Sequence, residues 1–222
     1  MLIWLALACA PPAYRIPGPL GQLGVGDRPT LETPRPPRQA LPTPGDGIAD
    51  AAVFYLGKGV LRCDGEQYRM DCSGFVDAAH ARAGIDLGHA NSAALWAIAG
   101  AHGVAGRAPR VGDTVFFDNT HDRNGNRRLD DELTHVAIVE ALDADGTLHL
   151  VHLASAGVVR VRMNLEHPDT HKAPDGKVWN DFLRRQTSRD PKGTRYLSAQ
   201  LYRGCASFWE AEGLRSAVLV DG

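Results

Sequence analysis

The chain has 222 residues, of which 24 are Lys or Arg and 26 are Asp or Glu, giving a formal net charge of -2. That balance excludes nucleic acid as the partner, because phosphate binding needs a strongly basic surface; Arg123, Arg127 and Arg128, and the pair Arg184-Arg185, read as solvated faces. No His-Glu-x-x-His and no Cys-x-x-Cys pattern occurs, which excludes the usual zinc hydrolases.

Residues Met1 to Cys9 form an apolar run too short to span a bilayer. They read as the end of a secretory signal without its basic start, and Leu7-Ala8-Cys9 resembles a bacterial lipobox with Ala6 where leucine is usual. Residues 1-10 are therefore expected to be a signal or lipoprotein-signal remnant. The domain is exported to the cell envelope or secreted, and a lipid on Cys9 is the only contact with a membrane. Cleavage near Ala8 or Ala10 is the plainer alternative. Ten of the fourteen prolines lie between Pro11 and Pro44, so residues 11-46 are expected to be an extended, disordered linker. Residues 47-222 remain as one folded domain, long enough for a buried core and expected to be monomeric.

The first sharp motif is Asp71-Cys72-Ser73-Gly74-Phe75-Val76. Asp71 is a good N-cap, Phe75, Val76, Ala79 and Ala83 recur at helical spacing, and Gly84 supplies a stop. Cys72 therefore opens a helix, at the positive end of its dipole, where a thiolate is favoured and the thiol pKa is expected to fall. A cysteine nucleophile needs a base, and the base needs an orienting group. Thr134 to Val139 reads as a strand, with Val136 and Ile138 on one face and His135, Ala137 and Val139 on the other. Thr147 to Leu153 reads as its hairpin partner, joined through Asp143-Ala144-Asp145-Gly146. His149 and His152 are three apart and point to opposite faces, so only one of them can serve the base.

Between Phe117 and His135, side-chain oxygens alternate at Asp122, Asn124, Asn126 and Asp130 as in an EF-hand-like calcium loop. Glycine stands at the fourth loop position instead of the sixth, and Leu133 at the twelfth; the alternative is a solvated turn. The chemistry requires no cofactor; calcium is the one ion the sequence offers. Downstream, Tyr196 to Tyr202 reads as a closing strand, and 167-179 and 186-194 as polar loops. Cys63 and Cys205 are either a disulfide or two buried thiols.

The Asp71-Val76 motif, Pro109-Arg110-Val111-Gly112-Asp113-Thr114-Val115-Phe116-Phe117, Thr134-His135-Val136-Ala137-Ile138 and Val151-His152-Leu153-Ala154-Ser155 resemble, in order, the landmarks of NlpC/P60 cysteine peptidases, papain-like cell-wall hydrolases. The resemblance covers roughly residues 50 to 160. It implies a papain-like α+β fold with an N-terminal helix carrying the nucleophile on an antiparallel sheet. It implies Cys72 as nucleophile, His135 as general base, His152 as its orienter, and Ser73 beside Asp71 at the substrate pocket. The implied partner is the peptidoglycan stem peptide, cut at an amide through an acyl-enzyme. Members usually carry Pro-Tyr and Gly-Gly before the cysteine, where this chain has Val60 and Cys63-Asp64. An amidase or acyltransferase on another substrate, or a non-catalytic wall-binding lipoprotein, are the alternatives.

Overall fold

The computed structural model describes residues 43-106 and 108-214; the signal remnant, Cys9 and most of the proline-rich segment lie outside the described residues. Helix α1, Pro44–Phe54, starts inside the stretch read as linker, because Thr43 and Asp46 cap one another. The Thr43 hydroxyl donates to the Asp46 carboxylate at 2.9 Å, and Pro44 occupies a first-turn position whose missing N–H costs nothing. Helix α1 thus overlaps the last residues read as linker, Pro44 to Asp46. After the short hairpin β1 (Arg62–Cys63) and β2 (Glu66–Gln67), helix α2 runs Cys72–Arg82. Its start and stop are the expected ones: the Gly74 amide donates to Asp71 Oδ1 at 2.7 Å, and Gly84 takes a φ of 78° beyond the last turn. Helix α3, Ser92–Ala101, capped by Asn91, was not anticipated.

The sheet is antiparallel and five-stranded, in the order β6-β5-β4-β3-β7, from β3 (Thr114–Phe117), β4 (His135–Leu142), β5 (Thr147–Ala154), β6 (Gly157–Asn164) and β7 (Tyr202–Ala206). This is the mixed α+β architecture that the papain-like resemblance implies. Period-two geometry sorts the strands as expected: Val136 and Ile138 join the helical-side core with Phe75, Val76 and Ile48, whereas Ala137 and Val139 join Leu150 and Met163 on the opposite face. The β4-β5 hairpin closes through Asp143, whose amide donates to the Thr147 carbonyl at 2.9 Å.

One expectation fails in the C-terminal part. Tyr196 to Tyr202 is not the closing strand: helix α4, Ser198–Leu201, occupies it and β7 begins at Tyr202. Gln200 is the reason, since its side-chain oxygen accepts from the Tyr196 and Leu197 amides, both at 3.1 Å, and closes a helical turn. Cys63 and Cys205 pack into separate cores on opposite faces of the sheet, and among the described residues no disulfide joins them. The second face is roofed by the polar segment after β6. Asn180 pins that roof, accepting from the Asn164 amide at 2.9 Å and donating to the His167 and Thr170 carbonyls, both at 2.8 Å.

His80 is fully buried in α2, with Nδ1 on the Val76 carbonyl at 2.8 Å and Nε2 without a partner among the described residues. Burial pushes its pKa down to about 4. A folded pKa below the unfolded value means the unfolded chain takes up the proton first, so stability is full above about pH 6.5 and drains as pH falls toward about 4. Urea unfolding is therefore expected to show wild type losing about 2 kcal/mol more than His80→Leu between pH 7.5 and 5; equal losses would remove His80 as the acid-sensitive group.

Candidate active site

Cys72 sits at the start of α2, where the chain arrives along Arg69 and Met70. Gly74 makes that approach possible: a Cβ there would lie 2.1 Å from the Arg69 carbonyl oxygen, so any side chain would push the helix start away from the segment feeding it. Asp71 is committed to the turn. Its Oδ1 accepts from both the Gly74 amide and the Ser73 hydroxyl, the latter at 2.8 Å, and its Oδ2 faces the Arg69 guanidinium at 3.5 Å. Ser73 is buried, also accepts from Arg69 Nη2 at 3.2 Å, and is not part of the cleft wall. The expected pocket role for Ser73 is therefore replaced by support of the helix cap. Asp71 does border the cleft.

His135 opens β4 and His152 lies near the end of β5. The pair Ile138↔Val151 fixes the register. Continued along the strands, it sets His152 opposite Ala137, diagonal to His135 on the same face. Diagonal neighbours are within reach of long rings, and His135 Nε2 meets His152 Nδ1 at 2.7 Å with the rings at 88°. His149 points to the other face and pairs with Asp143 at 3.1 Å. A cleft of about 400 Å³ at this end of the sheet gathers Cys72, His135, Asp71 and Met70 with Leu153 to Ser155. His152 stands behind His135, buried.

With Nε2 of His135 engaged, Nδ1 is the nitrogen left for a proton. For that nitrogen to act as a base, Nε2 must carry the hydrogen and donate it to His152 Nδ1. The surroundings enforce neutrality. Burial, followed by the positive charge His152 and His121 would add, pushes the His135 pKa down to about 3. Burial brings His152 to about 4, against the weak opposing pull of Asp181.

The thiol departs from expectation. Burial raises the Cys72 pKa and the Asp71 charge adds to the rise, outweighing the lowering by the amides of Val136, Ser73 and Cys72 itself. A helix N-terminus is worth about 0.3–1 kcal/mol to an anion near the surface, whereas burying an ion costs several kcal/mol. The resting pair is thus a neutral thiol beside a neutral imidazole. The Val136 amide that addresses the sulfur follows His135 directly, so the β4 start and the α2 start meet at the cleft.

Sequence reasoning missed His121 and the segment around Arg184. His121 borders the cleft together with Thr134, and its Nδ1 lies 3.2 Å from the Thr120 hydroxyl. In the loop read as calcium-binding, Arg127, at the sixth position, has a φ of 59°, the conformation for which such loops use glycine. The four oxygen-bearing side chains converge, but largely on the loop's own donors. The Asn126 amide nitrogen donates to both Asp130 oxygens at 3.1 Å, and the Arg127 N–H to Asp122 Oδ2 at 2.9 Å. The Asn126 N–H donates to Asn124 Oδ1, also at 2.9 Å. Asp122 Oδ1 is buried and meets no donor among the described residues. Among those residues no group of three His, Cys, Asp or Glu is arranged to hold a metal ion.

Residues 63-153 match the family model of the CHAP domain. The CHAP domain is of the cysteine peptidase/amidase type found in NlpC/P60-related cell-wall hydrolases, and the match spans about two fifths of the chain. The match encloses Cys72, His135 and His152, and it names the related CHAP type where the motifs resembled NlpC/P60. No curated protein and no solved structure matches the chain.

A raised thiol pKa fixes the pH dependence of alkylation. The iodoacetamide rate at Cys72, read by peptide mass spectrometry, is expected to climb only as pH rises past about 8.5. A plateau of fast labelling between pH 5 and 8 would mean a resting thiolate-imidazolium pair instead.

Proposed function

We propose that this chain is an exported cysteine peptidase that hydrolyses an amide in peptidoglycan stem peptides, with Cys72 as nucleophile, His135 as general base and His152 as its orienter. The observation that carries the reading is the 2.7 Å bond between His135 and His152 at the cleft that also holds Cys72. His135 Nδ1 takes the thiol proton as sulfur attacks the amide carbon, and the amide N–H of Cys72 at the helix start stabilises the oxyanion. The imidazolium then gives its proton to the departing amine, leaving a thioester on Cys72. Water, deprotonated by the same ring, resolves the thioester to a carboxylate and free thiol. Because both resting partners are neutral, proton transfer and attack proceed together, and charge appears only in the transition state. His152, buried behind the base, holds the Nε2–H and helps stabilise the imidazolium as it forms.

The cleft lies open at the end of the sheet, bordered by the α2 start, the start of β4 and the end of β5.

Purified peptidoglycan digested by the protein is expected to release new muropeptides, resolved by mass spectrometry, that name the amide cut. Cys72→Ala abolishes release, and His135→Ala and His152→Ala each lower kcat/KM by roughly 10²- to 10⁴-fold. Release that survives in Cys72→Ala, or no release from folded wild type, would defeat the proposal.

A further inference from the structure

The loop 118-134 leaves β3 after Phe117 and re-enters the sheet at His135, and those two residues are partners in the β3-β4 ladder. The neck of that loop is the last structure before the base. Leu133, two residues ahead of His135, has a φ of 53°. In the left-handed region a Cβ crowds the following carbonyl oxygen, so a leucine stays there only where its surroundings over-determine it.

Leu133 is held by its side chain and by both of its backbone polar groups. The side chain is buried in the helical-side core. The N–H donates to Asp118 Oδ1 at 2.7 Å, and the carbonyl accepts from the Ser92 hydroxyl at 2.5 Å. Both partners are themselves fixed. The Asp118 amide donates to the Leu201 carbonyl at 2.9 Å, and Arg203 of β7 donates through Nη1 to Asp118 Oδ2 at 3.1 Å. Ser92 opens α3, whose Leu95 and Ala99 are buried in the same core as Leu133. Directly afterwards, the Thr134 amide donates to the Phe117 carbonyl at 2.9 Å and begins the ladder. The end of β3, the start of β7 and the start of α3 thus converge on one strained residue, with Thr134 alone between it and the base. Glycine would take this φ freely but would leave the neck free to rotate; a locked leucine admits one direction of entry.

We propose that Asp118 and Ser92 are positioning residues for the base: by holding Leu133 in the left-handed conformation they fix the direction in which His135 enters β4, and with it the reach of that ring to His152 and Cys72. The inference rests on the reading of His135 as general base. Neither Asp118 nor Ser92 borders the catalytic cleft, so their effect on turnover passes through Leu133. Arg203 acts one step further back, by orienting the Asp118 carboxylate. Helix α3 thereby acquires a role in the site although it contributes no group to the cleft.

The test compares Asp118→Ala, Asp118→Asn and the double variant Asp118→Ala with Leu133→Gly, each in the full chain and well below its melting temperature. Two quantities are read: kcat and KM on soluble muropeptides, and the coupling across the His135–His152 hydrogen bond in ring ¹⁵N spectra. Asp118→Ala is expected to lower kcat by about 10- to 100-fold, the scale of a displacement of about 1 Å in a catalytic group, with KM within about twofold and the coupling weakened. Asp118→Asn keeps an oxygen for the Leu133 N–H and recovers most of both. Adding Leu133→Gly to Asp118→Ala recovers part of the loss, because glycine takes the left-handed φ without enforcement. Gly146→Ala puts a side chain at a φ of 78° in the turn at the far end of the β4-β5 hairpin; as the control for lost stability alone, it is expected to leave both readouts unchanged. A fall that Gly146→Ala reproduces, or one that Asp118→Asn does not recover, overturns the positioning role. Hydrolysis by wild type with both readouts intact in Asp118→Ala also overturns it and leaves the hydrolase reading standing. A wild type that cleaves nothing, beside an Asp118→Ala variant that still loses the coupling, would sink the hydrolase reading and leave the positioning role in place.

Discussion

The register of β4 on β5 is the constraint from which the site follows. His135 and His152 meet only while Ile138 lies opposite Val151, because a slip of one residue would carry every side chain of β5 to the other face and bring His149 round instead. The buried half of the hairpin enforces that register, with Val136, Ile138 and Val151 locked against the helices and Ala137, Val139 and Leu150 against the opposite core. The pairing shifts between Val139 and Ala141, so the half nearer the turn is out of step with the half carrying the histidines. The core sets the site; the turn only closes the chain.

The electrostatics follow from the same packing. Desolvation is the largest influence on both His135 and His152; at His135 the charges of His152 and His121 reinforce it, and at His152 Asp181 opposes it without prevailing. The same holds at Cys72, where the helix start and three amides favour the thiolate and burial still prevails. The protein thus stores no ion pair at rest, and its polar groups act on charge as it develops, where a low-dielectric cleft makes them most effective.

Much of this was legible in the sequence because it rests on short-range rules. Asp71 as a cap, Gly84 as a stop, the Asp143 to Gly146 turn and the opposed faces of His149 and His152 all follow from local periodicity. What escaped depends on contacts distant in sequence. The Cys72 pKa is set by tertiary burial that a helix-dipole argument cannot see. Ser73 has the composition of a pocket residue and is consumed by Asp71 and Arg69. Gln200 overrides a strand-like stretch with a single side chain. Arg127 and Arg184 lie on different loops and border one cavity once the C-terminal segment, tied by Asn164 and Asn180, has folded over the sheet. Arg184 Nε, one unmet donor in that fold, carried no signal in sequence.

The central claim is that His135 is a neutral base whose Nε2–H is held by His152. It is tested most directly by ¹⁵N resonances of the two rings in selectively labelled wild-type protein at pH 7. Two neutral imidazoles, with the His135 proton on Nε2 and a coupling path to His152, are the result this account requires. A doubly protonated His135 beside a Cys72 thiolate, or a His135 carrying its proton on Nδ1, would contradict it.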